Sequence, residues 1–183
     1  MNAHEGRSSG GKGGGLRAMS QFLGTHQTKL DAKGRTSVPA PFRAALKRAS
    51  EAGTAALVLR PSHKHPCIEA WPAEVFDTLA TPLESMALFA DDSDDLTTAL
   101  YADAWPVEAD KEGRIVLPDS LVQHAGLTDS VVFMGLGRQF QIWEPAAAAR
   151  RTAEARDRAR TRGLTLPGRA PAPLPGTIVG VPA

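Results

Sequence analysis

Apolar residues recur along this chain in short runs of two kinds. Compact β-like runs occur at 55–61 (AALVLRP) and 130–136 (SVVFMGL), and shorter ones end in tryptophan at Cys67–Trp71 and Phe140–Trp143. Their length and their Val, Ile and Phe content predict strands. Segments 39–49 (PAPFRAALKRA) and 118–127 (PDSLVQHAGL) space their apolar residues as a helix does and open on proline, which suits a first helical turn. Leu83, Met86 and Ala87, then Leu96, Ala99 and Leu100, also fit helical spacing, with Asp94 and Asp95 near the start of the second helix. A basic helix is expected over 150–163, where Glu154 and Arg158 stand in the favourable i, i+4 order. No apolar run approaches the roughly 18 residues of a membrane-spanning helix.

The pattern repeats. Asp31-Ala-Lys-Gly-Arg-Thr-Ser-Val-Pro39 returns as Asp110-Lys-Glu-Gly-Arg-Ile-Val-Leu-Pro118. Each copy is followed by an amphipathic segment, a β-like run and a second run ending in Trp. Two copies are too few for a solenoid and predict two homologous halves of one compact unit. In each half a strand runs into Asp-x-x-Gly, and a second strand starts at Arg. Asp at the entry and Gly at the exit suit a hairpin on a type I turn, with Gly34 and Gly113 taking positive φ. A β-branched residue is expected to cost ligand binding at Gly34 and folding or assembly at Gly113.

Composition sharpens this outline. Aromatics are 5% of the 183 residues, so the core rests on Leu, Val, Ala and Ile. The single cysteine, Cys67, excludes an internal disulfide framework and fits a reducing cytoplasm. The N-terminal stretch lacks the apolar segment of a secretory signal. Residues 1–18 and 167–183 are Gly- or Pro-rich and are expected to lack fixed structure, and translation could start at Met1 or Met19. The net charge of +1 conceals a separation. Residues 25–64 carry eight basic side chains against two acids, residues 65–149 three against fifteen, and residues 150–183 seven against two. One face for a polyanion is expected, and another that avoids it.

The duplicated Asp-x-x-Gly-Arg motif, each followed by Val/Leu-Pro and a short helix, resembles the SpoVT/AbrB-type DNA-binding domain. Tandem copies with a helical linker, and the segments FLGTHQTKLDAKGRTSVPAPFR, LVQHAGL and FQIWEP, are similar to the MraZ family of bacterial transcriptional regulators. The resemblance covers about residues 22–147. It implies an α+β, mostly β fold: two tandem AbrB-like swapped-hairpin halves forming one pseudo-twofold unit, with short helices and a helical linker. The expected organisation is an extension over 1–21, halves at 25–74 and 104–147, a linker at 75–103, and a basic helix with a Pro-rich tail at 148–183. It further implies a regulator, chiefly a repressor of its own operon in the division and cell-wall gene cluster, acting on short direct repeats of double-stranded promoter DNA. Several chains would close into a homo-oligomeric ring. The setting would be cytoplasmic and nucleoid-associated, with no membrane partner, cofactor, metal or enzymatic activity.

For the first half the chemistry of the residues agrees with the resemblance. Arg35 can bridge O6 and N7 of a guanine in the major groove, and Lys29, Lys33 and Arg43 can neutralise phosphates. The second motif exchanges Ala32-Lys33 for Lys111-Glu112 among further acids. Asp31, Gly34, Asp110, Gly113 and Arg114 are therefore expected to be structural, with Arg114 paired to Asp110 or contacting a neighbouring subunit. The alternative is an AbrB-type antitoxin-like interaction module, although such chains usually carry one repeat and a toxin-wrapping tail. A metal site at His63, His65 and Cys67 lacks a second cysteine, and a loop feeding a strand is the expected reading. The Gly-rich start lacks the Ser/Thr of a phosphate-binding loop, and Asp91–Asp95 lacks the central Gly of a calcium loop. Trp71 and Trp143 are expected as core anchors.

Overall fold

The computed structural model describes residues 21–49, 56–79 and 91–165. The motif residues build the smaller of two sheets. The first half contributes β1 (Thr25–Lys29), β2 (Arg35–Ser37), α1 (Ala40–Ala49), β3 (Ala56–Pro61) and β4 (Ile68–Pro72). Helices α2 (Ala73–Asp77) and α3 (Asp91–Tyr101) follow. The second half repeats the order as β5 (Trp105–Glu108), β6 (Arg114–Val116), α4 (Asp119–His124), β7 (Ser130–Gly135) and β8 (Phe140–Trp143), and α5 (Pro145–Thr161) ends the described chain. The fold is α+β and mostly β, as expected. The described residues through Ala148 make up one compact unit, and those from Ala149 another.

The halves are interleaved rather than side by side. Six strands form one antiparallel sheet in the order β1-β7-β8-β4-β3-β5, and β2 and β6 form a two-stranded ladder. Exchanging each strand for its repeat equivalent reverses the six-strand order onto itself, so a pseudo-twofold axis runs through the molecule. That axis passes the Glu69–Gln141 pair of β4 and β8 and the Thr36–Ile115 pair of β2 and β6.

The Asp-x-x-Gly turns form where they were expected. The N–H of Gly34 donates to the Asp31 carbonyl at 3.0 Å, that of Gly113 to the Asp110 carbonyl at 2.9 Å, and φ is +71° and +78° at the two glycines. The expected hairpins differ in their partners. The two arms of the first turn share no ladder beyond an isolated Leu30–Thr36 bridge; β1 pairs with β7, and β2 with β6. Burial accounts for this. Each three-residue arm buries only its middle residue, Thr36 or Ile115. Pairing the two arms puts both middle residues over one core, while β1 covers the apolar β7.

That core draws on both halves. Phe22, Phe42, Phe133 and Phe140 are all fully buried, with ring centroids 5.0–6.3 Å apart in the contacts among them. Leu46, Leu57 and Leu59 join Ile115, Leu117, Leu121 and Ile142 around this cluster. Trp143 is a core anchor, whereas Trp71 is only half-buried. The axis is not perfect chemically. Trp143 Nε1 donates to Gln141 Oε1 at 3.0 Å, but Glu69, the equivalent of Gln141, faces Arg60 at 3.5 Å, and Trp71 Nε1 is buried without a partner.

The helical spacing of Leu96, Ala99 and Leu100 falls on α3; Leu83, Met86 and Ala87 lie outside the described residues, as do the two expected tails. The basic helix starts earlier than expected, at Pro145, where the carboxylate of Glu144 accepts the N–H groups of Ala146 and Ala147. Its Glu154–Arg158 pair forms at 3.3 Å. Among the described residues, no helix is long and apolar enough to cross a membrane.

Candidate nucleic-acid interface

Each turn is closed by its aspartate. Asp31 Oδ1 accepts the backbone N–H of Lys33 and of Arg35, both at 2.9 Å, and Oδ2 accepts Arg35 Nε at 2.7 Å. Asp110 does the same for Glu112 (3.0 Å), Arg114 N–H (2.8 Å) and Arg114 Nε (2.8 Å). An acceptor of several N–H bonds favours its charged form. The backbone N–H of Arg35 holds Asp31 below the usual carboxylate range, aided by the Arg35 side chain and the N–H of Lys33. The backbone N–H of Arg114 does likewise for Asp110, and Asp110 in turn raises the Arg114 guanidinium.

The two arginines differ in what remains free. Arg35 is engaged by Asp31 through Nε, and both it and Arg114 are 47% exposed at the side chain. Arg114 is held a second time, Nη2 to Glu112 Oε2 at 3.2 Å. The position of Glu112 in the first turn is Lys33, which is exposed and adds positive charge instead. The expected pairing of Arg114 with Asp110 is therefore present, but Arg35 and Asp31 make the same pair.

The β2·β6 ladder brings the two motifs together. Arg35 lies opposite Val116, and Ser37 opposite Arg114. With Thr36 and Ile115 buried, these four share the outward face. Lys29, Asp31, Arg35, Ser37, Arg114 and Asp129 line one open groove beside it. A hydrogen bond between the Thr28 and Thr36 hydroxyls, at 2.8 Å, ties β1 to the ladder. The second motif, expected to be structural or to contact a neighbouring subunit, thus lies on the same ladder as the first. The ladder is shared between the halves, so both turns stand on one surface. Sequence spacing carries no sign of that strand exchange, and Ser37 and Val116 were missed for the same reason.

Other expected site residues are placed differently. Lys29 is exposed on β1. Arg43 is half-buried on α1, and its Nη1 donates to the Val38 carbonyl at 2.7 Å. Arg60, counted in the basic stretch, is 6% exposed and paired with Glu69, so it adds nothing to a charged face. The His63–Cys67 segment is turned to packing. His63 Nδ1 lies 3.2 Å from Arg60 Nη2, the His65 ring lies 5.7 Å from that of Trp143, and Cys67 is buried. Among the described residues, no group of three His, Cys, Asp or Glu is placed to hold a metal ion.

The ladder thus carries an arginine toward each end, with a short polar turn beside each. Comparison with known proteins identifies the family that shares this repeat. The family described as "MraZ protein, putative antitoxin-like" matches residues 21–98 and 100–161. A "Transcriptional regulator MraZ" of Gluconacetobacter diazotrophicus is 63% identical over 151 residues, covering 82% of this chain and 96% of the relative. One from Gluconobacter oxydans is 58% identical over 155 residues, covering 84% and 94%. One from Xanthobacter autotrophicus is 37% identical over 155 residues, covering 85% and 97%. With both repeats matched and such identity over nearly the whole length of these relatives, the chain belongs to the MraZ family.

Proposed function

We propose that this protein is a DNA-binding transcriptional regulator whose reading head is the β2·β6 ladder with its two turns. The observation that carries this is the shared outward face, where Arg35 keeps its Nη groups available beside Lys33. Asp31 fixes the guanidinium through Nε, which pre-orients the remaining donors for a guanine edge. Lys29 and Lys33 neutralise phosphates, and Arg114, restrained by Glu112, contributes the weaker arm. The targets are short direct repeats in the promoter of its own operon, within the division and cell-wall gene cluster, and the action is repression. Several copies close into a ring, so that weak single contacts combine. The setting is the cytoplasm, on the nucleoid.

The test is a footprint of the purified protein on the DNA upstream of its own gene. Protection of evenly spaced short repeats is expected, and its loss with Arg35→Ala. No protection at any upstream site would overturn the reading. The words "antitoxin-like" in the family description support a second reading, an interaction module for a small toxin. Co-purification of a stoichiometric small protein, without footprints, would favour it.

A further inference from the structure

Val38 and Leu117 are equivalent residues, one on each side of the pseudo-twofold axis. Val38 N–H donates to the Gly113 carbonyl at 2.9 Å, and Leu117 N–H to the Gly34 carbonyl at 2.8 Å. Beyond these bonds the two sides part. A Cβ on Gly34 would lie 2.9 Å from the Leu117 carbonyl oxygen, so the space beside that glycine is bounded by backbone. A Cβ on Gly113 would instead collide with the side chain of Arg43: Cδ occupies its place, and Nε lies 2.7 Å away. The guanidinium continues past Gly113 and its Nη1 ends on the Val38 carbonyl. The repeat equivalent of Arg43 is Val122, packed on the core, so no such side chain crosses in the other direction.

We propose that Arg43 is a positioning residue: a strut from α1 of the first half, laid across Gly113, that fixes the second turn against the reading ladder. This rests on the DNA-binding function proposed above. The strut joins three parts that the ladder must hold in register, namely α1, the end of β2 through Val38, and the turn carrying Arg114. Its stem fills the space that glycine leaves. Its charged end meets the carbonyl of Val38, the residue whose N–H donates to Gly113. An arginine spent this way is set apart from the phosphate-contacting lysines, and its contribution to binding comes through the geometry of the turn.

The experiment combines a double-mutant cycle with a salt titration. In thermal unfolding of the full chain, without DNA, Gly113→Ala is expected to lower the Tm more in the parent than in an Arg43→Ala background. The strain of positive φ is common to both backgrounds, so the difference isolates the collision with Arg43, at about 2–4 °C per kcal/mol of coupling for a chain of this size. Additive Tm shifts would overturn the strut. On DNA, Arg43→Met keeps the stem and removes the charge. It is expected to lose less than about fivefold in affinity, with the dependence of log K on log salt unchanged. Arg43→Ala is expected to lose about tenfold or more with the same slope. A slope shallower by about one unit in Arg43→Met, as removal of a phosphate contact gives, would also overturn the proposal. Should the parent protein bind no DNA, the function fails, while the thermal cycle still decides the strut.

Discussion

Asp31 and Asp110 do the same local work, but the residue after next decides what each turn offers to solvent. Lys33 leaves Arg35 with one partner, and Glu112 gives Arg114 two. Arg35→Ala is expected to weaken specific DNA binding by about 1–3 kcal/mol, the worth of a bidentate guanine contact. Its effect on folding should be small, because exposed ion pairs contribute little. A quantitative gel-shift series beside a thermal melt checks both halves of that expectation. The carboxylates themselves set an acid limit. Both are held below their usual range by backbone N–H bonds, so they stabilise the fold above the unfolded carboxylate pKa. That contribution is lost as pH falls through the depressed folded values. The Tm of the parent should therefore decline below about pH 4. Asp31→Asn with Asp110→Asn should start lower at neutral pH and show a flatter acid limb. Parallel acid limbs would remove the two aspartates from this role.

At the scale of elements, Gly34 and Gly113 have the same φ region but different neighbours. A side chain at Gly34 meets the Leu117 carbonyl, which belongs to the backbone and cannot swing away. One at Gly113 meets Cδ and Nε of the Arg43 side chain, which can turn aside by giving up its bond to Val38. Gly34→Val is therefore expected to cost more stability than Gly113→Val, beyond the roughly 1–2 kcal/mol that positive φ imposes on both. Urea unfolding of the two variants measures the difference. The reverse order, expected from sequence, treated the second turn as the structural one. The sequence does report what is local. The turns, the proline-led helices and the β-like runs fall where periodicity and turn chemistry put them. Periodicity does not report strand partners, which the resemblance to swapped-hairpin domains supplied, because the repeat makes β2 and β6 equally good mates for their own halves and for each other. Burial of Thr36 and Ile115 over one core decides that choice. The same ambiguity hid Arg43, whose spacing suits a phosphate contact and whose surroundings are Val38 of its own half and Gly113 of the other.

On the scale of the whole molecule, the separation of charge along the chain does not become a separation of halves. The ladder sets Arg114, from the acidic stretch, on the same face as Arg35, from the basic one, toward its other end. Of the differences between the two arms, the exchange of Lys33 for Glu112 is the one that gives the turn's arginine a second carboxylate. A carboxylate near phosphates slows encounter and opposes binding, so the unequal arms give the head a strong and a weak side. Lys33→Glu is expected to reduce affinity by about tenfold or more and to flatten the salt dependence. Glu112→Lys releases Arg114 from its second partner and adds a cation, so affinity should hold or rise and the dependence steepen. A proposed ring of such heads adds multivalency: affinity should fall sharply as the DNA is cut from three repeats to two and to one. Titrating both variants against these three lengths at two salt concentrations separates the contributions. The turn residues change the slope at every length, while the number of repeats changes the affinity of every variant. Equal affinity for one and three repeats would remove the ring from the account. A loss from Glu112→Lys larger than that from Lys33→Glu would show that Glu112, not Lys33, carries the contact.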